Sequence, residues 1–192
     1  MYSYHDGEAM VYHYALGELY AEVKDVIFSV RVGIAPEKEK NGVEPIKKMF
    51  REAFVTRGWT PEVPIPLEAR DELRGDEDTK MDFRKVHYNG HGLGVEFQTG
   101  YYERPLKDFL RFQKAIQIGM VKVGVLIVLM KDTAYYMSDR IASFESAVDT
   151  LKGFGTEAYR DLSLVVFGVA HDEFTDKPLP KQRVGRRAQR RR

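Results

Sequence analysis

The sequence predicts a mixed α/β fold, in which a mixed β-sheet flanked by α-helices packs in layers. Three observations predict it. Apolar residues recur at steps of three and four along Glu8 to Val32, Pro45 to Phe54, Pro105 to Met120 and residues 138–152, which is helical spacing. Two near-continuous apolar runs, Val121 to Met130 and Leu162 to Ala170, read as strands buried on both faces. Between the helical stretches, Asn89-Gly90 joins two short segments as a reverse turn.

From the N-terminus, Leu16, Leu19, Tyr20, Val23, Val26, Ile27 and Val30 line one face of a first helix, and Gly33 stops it. A charged loop, Pro36 to Asn41, leads to Pro45, which suits the first turn of a second helix. Its inward stripe is Ile46, Met49, Phe50, Ala53 and Phe54, and Gly58 ends it. Trp59 to Pro66 holds three prolines and is expected to be a turn. Glu68 to Asp78 is an acidic loop or short helix. Residues 81–88 and 92–98 pair as strands. A helix with Leu106, Phe109, Leu110, Ile116 and Ile118 precedes the first buried strand. Lys131 to Arg140 is expected to be a loop, and Ile141, Phe144, Val148 and Leu151 face inward from the last helix. The expected organisation is a single domain over residues 1–177 and a basic, flexible tail over 178–192.

At 192 residues the chain is long enough for one full domain and short for two. Its 43% hydrophobic and 31% charged residues fit a folded, soluble protein and exclude disordered and fibrous classes. The longest apolar run already contains Lys122 and falls short of the roughly 18–20 residues of a membrane span. Met1 to Asp6 carries no basic-then-apolar pattern, so no signal peptide is expected. The absence of cysteine excludes a disulfide framework, a thiolate zinc site and a Cys nucleophile, and it fits a reducing cytoplasm. The net charge of +1 hides an asymmetry. Lys181 to Arg192 hold one lysine, six arginines and no acid, which leaves residues 1–180 at −6. Two readings of that tail stand: an arm for a polyanion, or a solvated terminus.

The constellation richest in chemistry is Asp82 with Glu96-Phe97-Gln98. Residues i and i+2 of a strand share a face, so Glu96 and Gln98 project together, and the hairpin brings Asp82 beside them. Two converging carboxylates repel unless they are protonated or neutralised by a hard divalent cation. Magnesium suits such a pair, because it fills its remaining positions with water and phosphate oxygens. Taken alone, the pattern is weak, and a polar, exposed strand face is its commoner meaning. The histidines lack metal-motif spacing, and Gly90, Gly92 and Gly94 lack the Lys-Ser/Thr of a phosphate loop.

Asp, a hairpin and then Glu-x-Gln resembles the variant PD-(D/E)XK nuclease core of the BglII-like type II restriction endonucleases, where Gln stands in place of the usual Lys. Trp59 to Pro66, the strand at Val121 to Val128, and Phe144-Glu145-Ser146-Ala147 followed by Leu164 to Asp172 are similar to further segments of that family, in its order. The resemblance covers roughly residues 45–175. It implies a restriction-endonuclease-like, three-layer core. It further implies that Asp82 and Glu96 bind Mg2+ with the Phe97 carbonyl, and that Gln98 positions the attacking water. Glu62 falls where the family places a water-orienting residue; the other reading is a solvated loop acid. Ser138-Asp139-Arg140 matches the family's base-reading cluster, although that cluster is Asn-Ser-Ser-like in the family, and Ser138 or Asp139 equally suits a helix cap. Thr99-Gly100-Tyr101 also departs from the family, which carries a small polar pair there.

The resemblance therefore implies Mg2+-dependent cleavage of both strands of a short palindromic double-stranded DNA site, centred on GATC, leaving 5′-phosphate and 3′-hydroxyl ends. A palindrome has a two-fold axis, which a homodimer matches. A cognate DNA methyltransferase is expected in the same host. Two alternatives remain at this level. One is a catalytically silent DNA-binding protein of the same fold; the other is a metal-dependent nuclease acting on branched DNA or RNA.

Overall fold

The computed structural model describes residues 1–38, 40–66, 79–101, 104–137, 140–153 and 161–181. Among these, a six-stranded mixed sheet forms the centre. Its strands are β1 (Tyr2–Tyr4), β3 (Thr60–Pro64), β4 (Lys80–Val86), β5 (Gly92–Gln98), β6 (Val123–Leu129) and β7 (Leu164–Val169). Their spatial order is β1-β7-β6-β5-β4-β3. β5, β6 and β7 run parallel, while β4, β3 and β1 are antiparallel to their neighbours. β2 (Gly33–Ile34) and β8 (Glu173–Phe174) make a separate two-stranded parallel pair.

Strand alternation sends each face of the sheet into its own core. On one side Val95, Phe97, Val125, Ile127 and Val165 pack against α2 (Gly17–Ser29) and α3 (Glu44–Thr56). On the other, Leu126, Val128, Leu164 and Val166 meet α4 (Arg104–Gln117) and α6 (Phe144–Gly153). The result is three layers, helix on sheet on helix, as the sequence predicts. Both central parallel strands, β5 and β6, are buried along their whole length.

Three local expectations are corrected. The helix expected over Glu8 to Val32 is two, α1 (Gly7–His13) and α2, broken where Ala15 takes a left-handed φ of 53°. The proline-rich stretch is not a turn but the edge strand β3; Pro61 and Pro64 are tolerated because an edge strand leaves one row of N–H groups unpaired. The start of the stretch expected to be a loop at Lys131 to Arg140 is a two-turn helix, α5 (Lys131–Met137). Near the C-terminus the chain stays docked past Lys177. The Leu179 N–H donates to Asn41 Oδ1 at 3.2 Å, and the Leu179 carbonyl accepts the Gly42 N–H at 2.9 Å.

Candidate active site

The site lies where the β4–β5 hairpin stops pairing. Asn89-Gly90 closes that hairpin, with Gly90 at a φ of 84° and its N–H donating to the His87 carbonyl. The register then runs from Val86↔Gly92 to Phe83↔Val95 and ends there, although β4 reaches back to Lys80 and β5 on to Gln98. Into this opening Asp82 turns its carboxylate, and Oδ2 accepts the Phe97 N–H at 2.8 Å. A side-chain acceptor thus replaces a backbone one at the point where the strands part.

Glu96 and Gln98 project together from β5, as the period of a strand requires. Both are buried. Burial, reinforced by the carboxylates of Asp82 and Asp108, holds Glu96 well above the ordinary carboxylate range. Glu96 lies near the Asp82 carboxylate, whose charge adds to that rise, and its Oε1 is buried without a partner.

A third acid, Asp108 of α4, completes the cluster. Its side chain is 3% exposed. It accepts hydrogen bonds from Gln98 Nε2 and, at 3.0 Å, from Arg111 Nη1. Burial pushes its carboxyl up to about 7, against the opposing pull of Arg111 and Gln98. The sequence reading passed over Asp108, yet a signal existed. Asp108 shares a helical stripe with buried Phe112 and Ala115, and it lies one turn from both Arg104 and Arg111. An acid on the buried stripe of a helix asks for partners.

These groups line a cleft of about 330 Å³. Asp82, Glu96, Gln98 and Asp108 form its acidic and polar part, together with Phe83 and Phe97. Lys47, Lys48 and Arg51 of α3, beside Glu44, and Arg104 and Arg111 of α4 supply the cationic part. Of the cations along α4, Arg104 and Arg111 line the cleft; Lys107 and Lys114 do not.

Of the remaining expected residues, Glu62 stands apart. It sits in β3 between Pro61, paired with Phe83, and Val63, paired with Met81, at a left-handed φ of 52°. Its carboxylate meets Arg51 Nη1 at 2.5 Å, and that hydrogen bond holds it below the usual carboxylate range. Arg51 lines the cleft and Glu62 does not. Arg140 is exposed in a turn, next to Ile141, which bridges to Tyr101 just beyond Gln98. Ser138 and Asp139 lie outside the described residues.

The donor set fits a hard cation: oxygen ligands only, two carboxylates on facing strands and one orphaned buried oxygen. Among the described residues no three acidic or imidazole side chains converge as a complete metal cage. An ion here would therefore draw its remaining ligands from main chain, water and phosphate, which is the habit of Mg2+.

A mixed sheet between helical layers, with paired acids where two interior strands part, marks the restriction-endonuclease-like fold class. The chain belongs to the BamHI restriction endonuclease family, whose profile matches residues 8–187. It is 26% identical over 137 residues to the type II restriction enzyme BamHI of Bacillus amyloliquefaciens, a match covering 64% of this chain and 63% of that enzyme. The chain thus spans somewhat less than two thirds of that relative. It is 24% identical over 139 residues to the type II restriction enzyme OkrAI of Oceanobacter kriegii, covering 72% and 69%. Among solved structures, restriction endonuclease BglII complexed with a DNA 16-mer superposes with a TM-score of 0.69 at 16% identity, covering 89% of this chain and 75% of that one. Free BglII gives 0.61 at the same identity. The resemblance read from the sequence is borne out in family and in fold.

Proposed function

We propose that this chain is a type II site-specific endodeoxyribonuclease that hydrolyses both strands of a short palindromic DNA duplex with Mg2+. One observation carries this: the Asp82 and Glu96 carboxyls share a cleft with five cationic side chains. The acids suit a cation, and the cations suit the phosphates on either side of the scissile bond.

In this reaction a water oxygen bonds to phosphorus and the P–O3′ bond breaks, leaving a 5′-phosphate and a 3′-hydroxyl. When bound, Mg2+ held by Asp82, Glu96 and the Phe97 carbonyl supplies charge stabilisation at the phosphoryl centre. An amide accepts no proton at neutral pH, so Gln98 orients rather than deprotonates. Glu62 contributes through Arg51, whose guanidinium it holds at the cleft where a phosphate would lie. Ser138, Asp139 and Arg140 read bases, supported by the bridge that ties Ile141 to Tyr101 beside the site. A homodimer sets one such site on each strand, and the basic 178–192 tail adds phosphate affinity to a single domain over 1–177. The enzyme works in the cytoplasm, where a cognate methyltransferase protects host DNA.

The test is digestion of phage DNA with the protein and MgCl2, followed by sequencing of the ends. Discrete fragments sharing one palindrome, lost in both Asp82→Ala and Glu96→Ala, are expected. Shifted but intact DNA would favour a silent binding protein. Selective cutting of branched DNA or RNA would favour another nuclease.

A further inference from the structure

We propose that Asp108 is a positioning residue, fixing which end of the Gln98 amide faces which way in the cleft. This rests on the nuclease reading given above. A glutamine amide is nearly symmetric in shape and opposite in chemistry at its two ends, so a pocket must impose its polarity. Here two groups do so. The Gly100 N–H donates to Gln98 Oε1 at 2.5 Å, and Asp108 accepts from Gln98 Nε2. Turning the amide over would set donor against donor at Gly100 and acceptor against acceptor at Asp108.

Asp108 has little other reason to be where it is. Its carboxylate is buried on the sheet-facing stripe of α4, beside Phe109 and Phe112, where an acid costs folding free energy unless it is paired. Its partners are Gln98 and Arg111, and both line the cleft. The carboxylate therefore holds two cleft groups from behind. With Nε2 and Oε1 each committed once, Gln98 keeps one N–H and one lone pair for water or phosphate. A freely rotating amide would offer either, at random, and lose that orientation.

Asp108→Ala is expected to lower the single-turnover cleavage rate at saturating DNA by roughly 10–100-fold, the usual loss for a supporting partner. Asp108→Asn keeps one acceptor oxygen for Gln98 Nε2 at the expense of the Arg111 bond, and is expected to recover part of that loss. In a Gln98→Ala background, Asp108→Ala should add less than about 3-fold, because residues acting through one another are not additive. Wild-type rates in Asp108→Ala, or a full further loss in the double variant, would overturn the assignment. Amide exchange supplies a readout independent of cleavage and of any variant of Asp108. The Gln98 side-chain NH2, identified by its absence in Gln98→Ala, should be protected in the wild-type protein. An unprotected NH2 in folded wild-type protein sinks the proposal even if DNA is cut. Protection in a protein that cuts nothing overturns the nuclease reading instead and leaves the geometry standing.

Discussion

Asp82 accepts the main-chain N–H of Phe97 where the β4–β5 pairing ends, so one side chain both caps the hairpin and sets its charge near Glu96. The hairpin cannot place Asp82 without also placing the pair. This couples the fold of the strand ends to the charge they must hold.

Without a cation that coupling is a liability, since two carboxylates meet in a site where one of them is buried. Glu96→Gln removes a charge and keeps the shape. Its metal-free melting temperature is expected to rise above that of the wild-type protein, a trade of activity for stability. Mg2+ at about ten times its Kd should raise the wild-type melting temperature by about 3–6 °C and leave Glu96→Gln unmoved. Calorimetry with and without MgCl2 checks both statements, and equal Mg2+ responses would remove Glu96 as a ligand.

Glu62 restrains Arg51 at the cleft. Glu62→Ala should free the guanidinium for phosphate and tighten DNA binding at low salt. Arg51→Ala should weaken binding alike for all sequences and lower the slope of log affinity against log salt by about 1. Fluorescence anisotropy on two unrelated duplexes, over a salt series, separates these outcomes. A loss confined to one sequence would make Arg51 a base reader.

Why the carboxylate pair was legible in the sequence, and Asp108 was not, follows from the range of the forces involved. A strand's period of two and the Asn89-Gly90 turn are local, and together they dictate that Asp82 and Glu96 meet. Asp108 reaches Gln98 only because α4 packs on β5 and β6, a tertiary contact that spacing along the chain does not encode. The break between α1 and α2 escaped for a related reason. Tyr14, Ala15 and Leu16 include no Gly or Pro, and Ala15 is held left-handed with its N–H donating to the Tyr12 carbonyl. Prolines at β3 pointed to a turn because their missing N–H groups matter only relative to a neighbour, and β3 has one neighbour.

Asp172 closes the second, smaller sheet. Oδ2 accepts the Val32 N–H and Oδ1 accepts Arg31 Nη1, each at 2.7 Å, and these bonds hold its carboxyl below the usual range. A depressed folded-state value means that the carboxylate stabilises above the unfolded pKa and that this contribution fades as pH falls through the folded one. Asp172→Asn should therefore lower the melting temperature at neutral pH and converge with the wild-type protein in acid. A constant offset from pH 7 down to pH 2 would show that shape, not charge, is at work.

One support of the site lies outside it, at Gly124 in β6. A Cβ built there would stand 2.6 Å from the Phe112 ring, which is fully buried and has nowhere to swing. The ring belongs to α4, one turn after Asp108, so the helix itself must move off the sheet. Gly124→Ala is expected to cost about 1–3 kcal/mol of stability through overpacking. It should also lower the cleavage rate, because Asp108 and Arg111 ride on the displaced helix while Gln98 stays on β5. Gly153→Ala, where nothing lies within 4 Å of the added carbon, is the matched control and should change neither. If Gly124→Ala lowers the melting temperature and leaves the rate of the folded fraction intact, α4 packing and the placement of Gln98 are independent, and the helix is only a lid on the core.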